Sequence, residues 1–515
     1  MTTAQSVPRR GGVVRNVIHL GLGQVATTVL TILLSATLAR SLGASEFGLL
    51  YLLTSIATFA YVVVDWGHGP YIIREAARHP ERSGELLGSA IAVRSAMALL
   101  TCVVAVASTW LLRYDLHTQL LTGAMILGLL PQYIGLGFGW IFRGHERMDR
   151  DAAINVMLKL ATLIGAVVCV ELGGRLPGLI VVYAVAGFLT LSLAMAIYRK
   201  LQLPPLRATM STSRELLRDG APLLAMSLAV AVEPYFNANI LYKMATPAVV
   251  GWYGAAWNIA GTLIAPATIL GATMYPRLST AASNPAEFKR VFGTSFRPLL
   301  LLAVLGAVGT YLFADVAIAL IYTTQKFGPA ADTLRAFTPV LLLMYVDVFF
   351  ATGILAAGRA GRLASAKIAA VVLTTGLVVV LVPWCQSHFA NGGLGVMYAM
   401  ASGEFLMLVA AVVFIREAID GHLIGDVLRS LLAGVSTVVV IQLLPPMTPF
   451  LGIPLCVVAF AGLALLVGAV TRADVELVTS SLRKGPGAPP SATGIASAGT
   501  PDVSVLIDSS SDRGR

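Results

Sequence analysis

The chain has 515 residues, of which 57% are hydrophobic and only 12% charged, with a mean hydropathy of +0.81. Soluble domains carry roughly 25% charged residues, so this composition excludes a disordered chain, a nucleic-acid binder and an ordinary cytosolic enzyme. The remaining charge is unbalanced, 36 Lys and Arg against 26 Asp and Glu, for a net +10.

A membrane helix needs about 20 mostly apolar residues. Fourteen such stretches run near 17–39, 47–69, 86–112, 119–142, 152–171, 177–198, 220–242, 249–275, 298–322, 333–357, 364–384, 392–415, 427–445 and 451–470. The predicted fold is an all-α polytopic membrane protein of about 14 transmembrane helices. Arg9, Arg10 and Arg15 precede an apolar run of about 23 residues, too long for the apolar core of a signal peptide, so this run reads as an uncleaved first span. With the N-terminus placed in the cytoplasm, 28 of the 36 cations fall in inner segments, 6 in outer loops, and Arg94 and Lys159 inside spans. That asymmetry obeys the positive-inside rule and predicts both termini in the cytoplasm and a cell (inner) membrane location. No outer loop approaches the ~50 residues of a folding unit, which weighs against a membrane-embedded glycosyltransferase. The tail, 472–515, is rich in Gly, Pro, Ser and Ala and is predicted to be a disordered cytoplasmic segment. Cys102, Cys169, Cys385 and Cys456 are scattered and read as small apolar fillers.

The halves repeat at an offset of 203 residues. LARSLGASEFGLLY (38–51) aligns with LYKMATPAVVGWYG (241–254), pairing Arg40 with Lys243 and Gly48 with Gly251, and the same register pairs Arg74 with Arg277. An even number of spans separates the copies, so both have one orientation, as in transporters built from parallel repeats with a site between the halves. The predicted organisation is an N-lobe (1–199, spans one to six), an inter-lobe cytoplasmic linker (200–219), a C-lobe (220–416, spans seven to twelve), two further spans (417–471) and the tail. The polar linker suits two lobes that rock against each other.

The chain resembles the Wzx-type polysaccharide flippases, the polysaccharide transporter branch of the multidrug/oligosaccharidyl-lipid/polysaccharide exporter superfamily. RSLGASEFGLL (40–50), DWGHGPYIIREAAR (65–78), FRGHERM (142–148) and VGWYGAAWNI (250–259) resemble the family's signatures in order. The resemblance implies a flippase that moves a polyprenyl-(pyro)phosphate-linked oligosaccharide outward by alternating access, for cell-surface polysaccharide biosynthesis. It implies no enzymatic activity. Its partners would be that substrate, membrane lipids and a polysaccharide polymerase. The family often carries an acid in the seventh span where this chain has Asn237; Glu233 lies one turn earlier.

Intramembrane charge costs at least about 2.5–3.5 kcal/mol and usually marks a wet cavity or a partner. Arg94 and Lys159 lie in spans three and five, with Asp65 near the inner end of span two. These three form the candidate head-group site, since guanidinium and ammonium groups suit phosphate. Alternatively, Arg94 pairs with Asp65 and holds spans two and three together, and Lys159 snorkels to the interface. Glu233, Asp347 and Glu404 lie near the middle of spans seven, ten and twelve with no cation assigned beside them, and with Asn237 they form a candidate Na⁺ or H⁺ coupling site. Alternatively, these acids stay neutral and hydrogen-bonded. Pro131, Pro234 and Pro266 fall inside spans four, seven and eight and are candidate hinges; the glycines near them serve equally for close packing, as in Gly135-x-x-x-Gly139.

No cofactor and no metal is expected: the sequence has no phosphate-binding loop, no catalytic triad and no metal-ligand spacing. Nucleic acid is not an expected partner. An anionic substrate moving outward gains about 2.3 kcal/mol per charge per 100 mV, so voltage alone can drive a pyrophosphate head group. Two relatives in mechanism remain as alternatives, a drug/cation antiporter of the same superfamily and a peptidoglycan-precursor flippase. The bases of spans three and five disfavour the antiporter.

Overall fold

The computed structural model describes residues 10–470 apart from Pro446; the predicted tail and the first nine residues lie outside the described residues. The helices, in order, are α1 (Arg10–Asp65), α2 (His68–Arg78), α3 (Ser83–Leu111), α4 (Leu116–Gly144), α5 (Met148–Glu171), α6 (Leu176–Lys200), α7 (Met210–Met244) and α8 (Pro247–Ala281). Then follow α9 (Pro285–Ile321), α10 (Thr324–Phe327), α11 (Ala330–Ala356), α12 (Ala360–Phe389), α13 (Gly393–Phe414), α14 (Gly421–Leu443) and α15 (Pro449–Leu466). Among the described residues, twelve helices are long and apolar enough to cross a membrane.

Two features reconcile twelve with the fourteen stretches of the sequence. First, α1 contains both of the first two spans. Its 56 residues would reach about 84 Å as one rod, roughly twice the full thickness of a bilayer. The chain turns back at Gly43, whose φ of 77° is open to glycine at little cost. The predicted outer loop is therefore a one-residue break. Second, α7 falls outside the twelve. It is 35 residues long and covers the seventh apolar stretch of the sequence, with Glu233, Pro234, Asn237 and Asn239 in its second half. The structure is thus an all-α polytopic membrane protein of roughly fourteen helices. Exposed Leu99, Leu100, Val103 and Val104 on α3, and Val372 and Val380 on α12, suit contact with lipid rather than water.

Two helix groups pack within themselves: α1, α3, α4, α5 and α6 on one side, and α8, α9, α11, α12 and α13 on the other. The α1–α8 and α1–α7 contacts join them, and α14 and α15 lean on α9. One face of the molecule carries Arg74, Arg78, Arg82, Arg143, Arg147, Arg199 and Lys200 and is called the basic face below.

The connector between α6 and α7 does not hang free. A Cβ at Gly84 would run into the carbonyls of Pro204 and Pro205, and one at Gly88 into Arg207; glycine at both positions admits the strand of chain. Arg207 donates its N–H to Gly84 O at 3.2 Å. The Thr209 and Thr212 hydroxyls donate to Glu85. At the start of α7, Trp66 Nε1 donates to Leu217 O at 2.7 Å, while Glu215 accepts from Tyr71 and, at 2.9 Å, from Arg82. The connector and the first turns of α7 are therefore fastened to the first helix group.

Candidate functional site

A polar cleft runs between the two helix groups. Its deeper part is a cavity of about 210 Å³ bounded by α1, α4, α5, α6 and α8, with Lys159, Gln132, Tyr183, Asn258 and Ser35 in its wall. A second cavity of about 360 Å³ shares Lys159, Thr31 and Asn258 and reaches Gln24 and Gly261, which are exposed. Local sequence explains the polarity. Gln24, Thr27, Thr31 and Ser35 recur at three- and four-residue spacing, so they share one face of α1; Asn258, Gly261, Thr262 and Ala265 do the same on α8. This stripe is legible in the sequence as a 3.6-residue period of uncharged polar residues inside an apolar span. Asn258 Nδ2 donates to Ser35 Oγ at 3.0 Å. The Lys159 ammonium meets no acceptor or carboxylate among the described residues.

The cleft ends where α1 crosses α8, away from the basic face. A Cβ at Gly48 would collide with Pro247 O, and one at Gly251 with Ala44 O. These are equivalent contacts under the 203-residue repeat, which pairs Ala44 with Pro247. Two hydrogen-bonded latches flank the crossing. On one side, Arg40 donates through Nε to Ile321 O at 2.9 Å and through its guanidinium to Leu320 O, at the carbonyl end of α9, and Tyr322 shares a 2.9 Å bond with Ser35. On the other, Lys243 donates to Arg113 O at 3.3 Å, just past α3, and Tyr114 donates to Asn239 Oδ1 at 3.1 Å. Each group of helices thus caps a helix end of the other.

Arg94 is not part of the cleft wall. It is 2% exposed, forms an ion pair with Asp65, and lies 4.5 Å over the Trp140 ring. A Cβ at Gly137 would press on its guanidinium at 2.5 Å, so the glycine of α4 makes room for it. Of the two readings of Arg94, the geometry matches the ion pair: it ties α1, α3 and α4 together. The head-group trio is separated, with Lys159 alone in the cleft.

The expectation that the second half holds acids without a cation is corrected. Lys367, counted in the sequence with an inner loop, rises from the start of α12 and puts Nζ 3.1 Å from Asp347 and 3.9 Å from Glu404. Glu233 on α7 faces the same ammonium. The error was one of reach: Lys367 is the eighth residue of α12, about 10 Å along the helix. Asn237 is fully buried one turn after Glu233. Pro131, Pro234 and Pro266 each lie inside a helix that continues past them, while the non-helical breaks occur at Gly43 and Phe313. Gly135 packs on the α6 backbone at Leu191, and Gly139 on Asp151 of α5.

Helix order, packing and cleft define a polytopic transporter fold. It is similar to the solved lipid II flippase MurJ in its inward closed conformation, with a TM-score of 0.69 and 12% identity over 89% of this chain and 100% of that one. It is also similar to the inward-facing conformation of a multidrug resistance MATE family transporter of the MOP superfamily, with a TM-score of 0.60 and 15% identity over 80% of this chain and 95% of that one. By sequence, a probable low-salt glycan biosynthesis flippase, Agl15 of Haloferax volcanii, is 20% identical over 67% of this chain and 72% of its own length. The chain belongs to the polysaccharide biosynthesis protein family, which it matches over residues 13–282.

Proposed function

We propose that the chain is a flippase, not an enzyme, and that it moves a polyprenyl-(pyro)phosphate-linked oligosaccharide from the inner to the outer leaflet for cell-surface polysaccharide biosynthesis. One observation carries the reading: the cleft holds a lysine with no counter-charge among the described residues, and its other polar groups are amides and hydroxyls set among apolar side chains such as Leu34, Phe47 and Leu158. An ammonium in that setting attracts phosphate as a point charge, and neutral donors and acceptors suit sugars. A drug-cation site would present the opposite sign. The likeness to the Haloferax relative, a probable low-salt glycan biosynthesis flippase, supports the same substrate class.

In this reading the basic face is cytoplasmic, as are both termini. The N-lobe (1–199) and C-lobe (220–416) rock about the cleft, spans thirteen and fourteen ride with the C-lobe, and the latched α1–α8 crossing is the outer gate. Pro234 and Pro266 bend during the exchange, and Pro131 does so within the N-lobe. Arg94 and Asp65 position the spans beneath the head group rather than touch it. The polyprenyl tail stays in lipid, and a polysaccharide polymerase consumes the product.

The test is reconstitution in liposomes with a fluorescent lipid-linked oligosaccharide. Lys159→Ala is expected to reduce the flipping rate at least about tenfold, the loss of roughly 1.4 kcal/mol of charge-assisted bonding, and Lys159→Arg to retain it. Parental flipping by Lys159→Ala removes Lys159 from the substrate path.

A further inference from the structure

Lys159 has a counterpart. Lys159-Leu160-Ala161 and Lys367-Ile368-Ala369 are 208 residues apart, the same offset that separates Tyr114 from Tyr322. The two lysines therefore lie on corresponding helices of the proposed repeat, α5 and α12, though not at one constant offset. Their surroundings differ: Lys159 faces an open polar cleft, and Lys367 is enclosed by acids from three helices.

We infer that Lys367 is the resident cation of the second half of the protein: it fills the position between Asp347 and Glu404 that a mobile metal cation would take, so the ion this site exchanges is the proton.

The geometry supplies the reasons. The Lys367 ammonium lies within 4 Å of both carboxylates. An ammonium directs three N–H donors and presents no lone pair to a metal, and a metal ion placed among the same oxygens would sit directly against a like charge. Asp347 is 9% and Glu404 7% exposed, yet Asp347 Oδ1 and Glu404 Oε2 have no hydrogen-bond partner. The charged groups around Lys367 are Asp347 of α11, Glu404 of α13 and Glu233 of α7, three carboxyls to one ammonium; Tyr253 of α8 also interacts electrostatically with Glu233. With all three ionised the cluster would carry a net double negative charge inside the membrane, the arrangement in which neighbouring carboxylates keep a proton. A carboxyl proton on one of the free oxygens brings the cluster towards neutrality. The exchange is a single O–H bond: the proton leaves the carboxyl for water and the electron pair stays on oxygen; the Lys367 side chain, 35% exposed, is not sealed from the surroundings.

The inference rests on the flippase reading for its purpose, but its test reads ion binding on the purified full-length chain in detergent, so either can fail without the other. The parent is expected to show no saturable binding of radioactive sodium. It is expected to show an infrared band of a protonated carboxyl that disappears as pH rises and is missing in Glu404→Gln or Asp347→Asn. Lys367→Met is expected to gain saturable sodium binding, which adding Glu404→Gln abolishes. Lys367→Gln serves where Lys367→Met does not give monodisperse protein. Saturable sodium binding by the parent that Glu404→Gln removes would overturn the inference. So would the absence of any titrating carboxyl in the parent, or folded Lys367 variants that bind no sodium.

Discussion

Adding one methyl group at the α1–α8 crossing should open the outer gate. In Gly48→Ala the new Cβ would overlap Pro247 O and lie 2.8 Å from Gly251 N. Both are backbone atoms, so neither can swing away, and the helices must separate. Overpacking of this kind costs about 1–3 kcal/mol. The contact exists only while the gate is closed, so the cost shifts the closed–open equilibrium by about 5- to 150-fold. Thr54 lines the cleft behind the gate. In a background lacking the four native cysteines, Thr54→Cys in right-side-out vesicles should react with an impermeant maleimide faster by that factor when Gly48→Ala is present. Gly251→Ala, its repeat equivalent, should do the same through Ala44 O. Gly309→Ala, where an added Cβ meets nothing within 4 Å, should leave the rate unchanged. Equal labelling rates in folded Gly48→Ala and parent would refute the assignment of this crossing as the gate.

The latches should respond in the same assay. Arg40→Ala and Lys243→Ala each remove a cap on the other group's helix end, worth about 0.3–1 kcal/mol, and should each raise Thr54→Cys labelling about two- to fivefold. Arg94→Ala should destabilise the chain by about 3 kcal/mol, the low end for a broken buried pair because the Asp65 side chain is 33% exposed. Thermal unfolding in detergent should show that loss, with partial recovery in Arg94→Met/Asp65→Asn. Docking of the connector should depend on pH. The Arg82 hydrogen bond holds the Glu215 carboxyl below its usual value of 4.5. A depressed folded value means that this stabilisation is complete above the unfolded value and is lost as pH falls through the folded one. Amide protection of residues 201–209, corrected for intrinsic exchange, should therefore decline only below about pH 4.5, and Glu215→Gln should remove that decline.

The fold was legible because its determinants are local. Apolar runs of span length specify helices, their number and their order; the duplication and the sidedness of the cations remain expectations from the sequence. Gly43 could be seen as a turn glycine but not as the entire turn, since its φ depends on how α1 folds back. The partners of the intramembrane charges were less legible. Arg94 and Asp65 are 29 residues apart in sequence and meet across a helix pair; two readings were open, and the packing of Gly137 and Trp140 distinguishes them. Lys367 was misplaced because it was counted with the inner loop although it lies inside the 364–384 stretch, and its long side chain brings the ammonium to acids on neighbouring helices. The latches were not readable, because they join residues more than a hundred positions apart.

The proposed duplication would make two halves with the same parts, and a transporter for a charged substrate needs the halves to differ. At the crossing the halves remain alike: glycine faces carbonyl in both directions, and each side caps the other's helix. A symmetric closure has a practical consequence, since both latches release under one motion about the axis relating the copies. At the lysines the symmetry is broken. Lys159 has no counter-charge among the described residues and in the proposed reading draws in the anion; Lys367 is paired with Asp347 and Glu404 and in that reading is withheld from it. Were both lysines free, the cleft would present two cations and hold a pyrophosphate too tightly to release it. Were both paired, nothing charged would draw it in. The asymmetry predicts that removing the acids should transfer the trap to the second half. Asp347→Asn/Glu404→Gln should bind inorganic pyrophosphate more tightly than the parent, and adding Lys367→Met should return its affinity to the parental value. Unchanged pyrophosphate affinity in the folded double variant, measured by calorimetry, would mean that Lys367 has no access to the cleft.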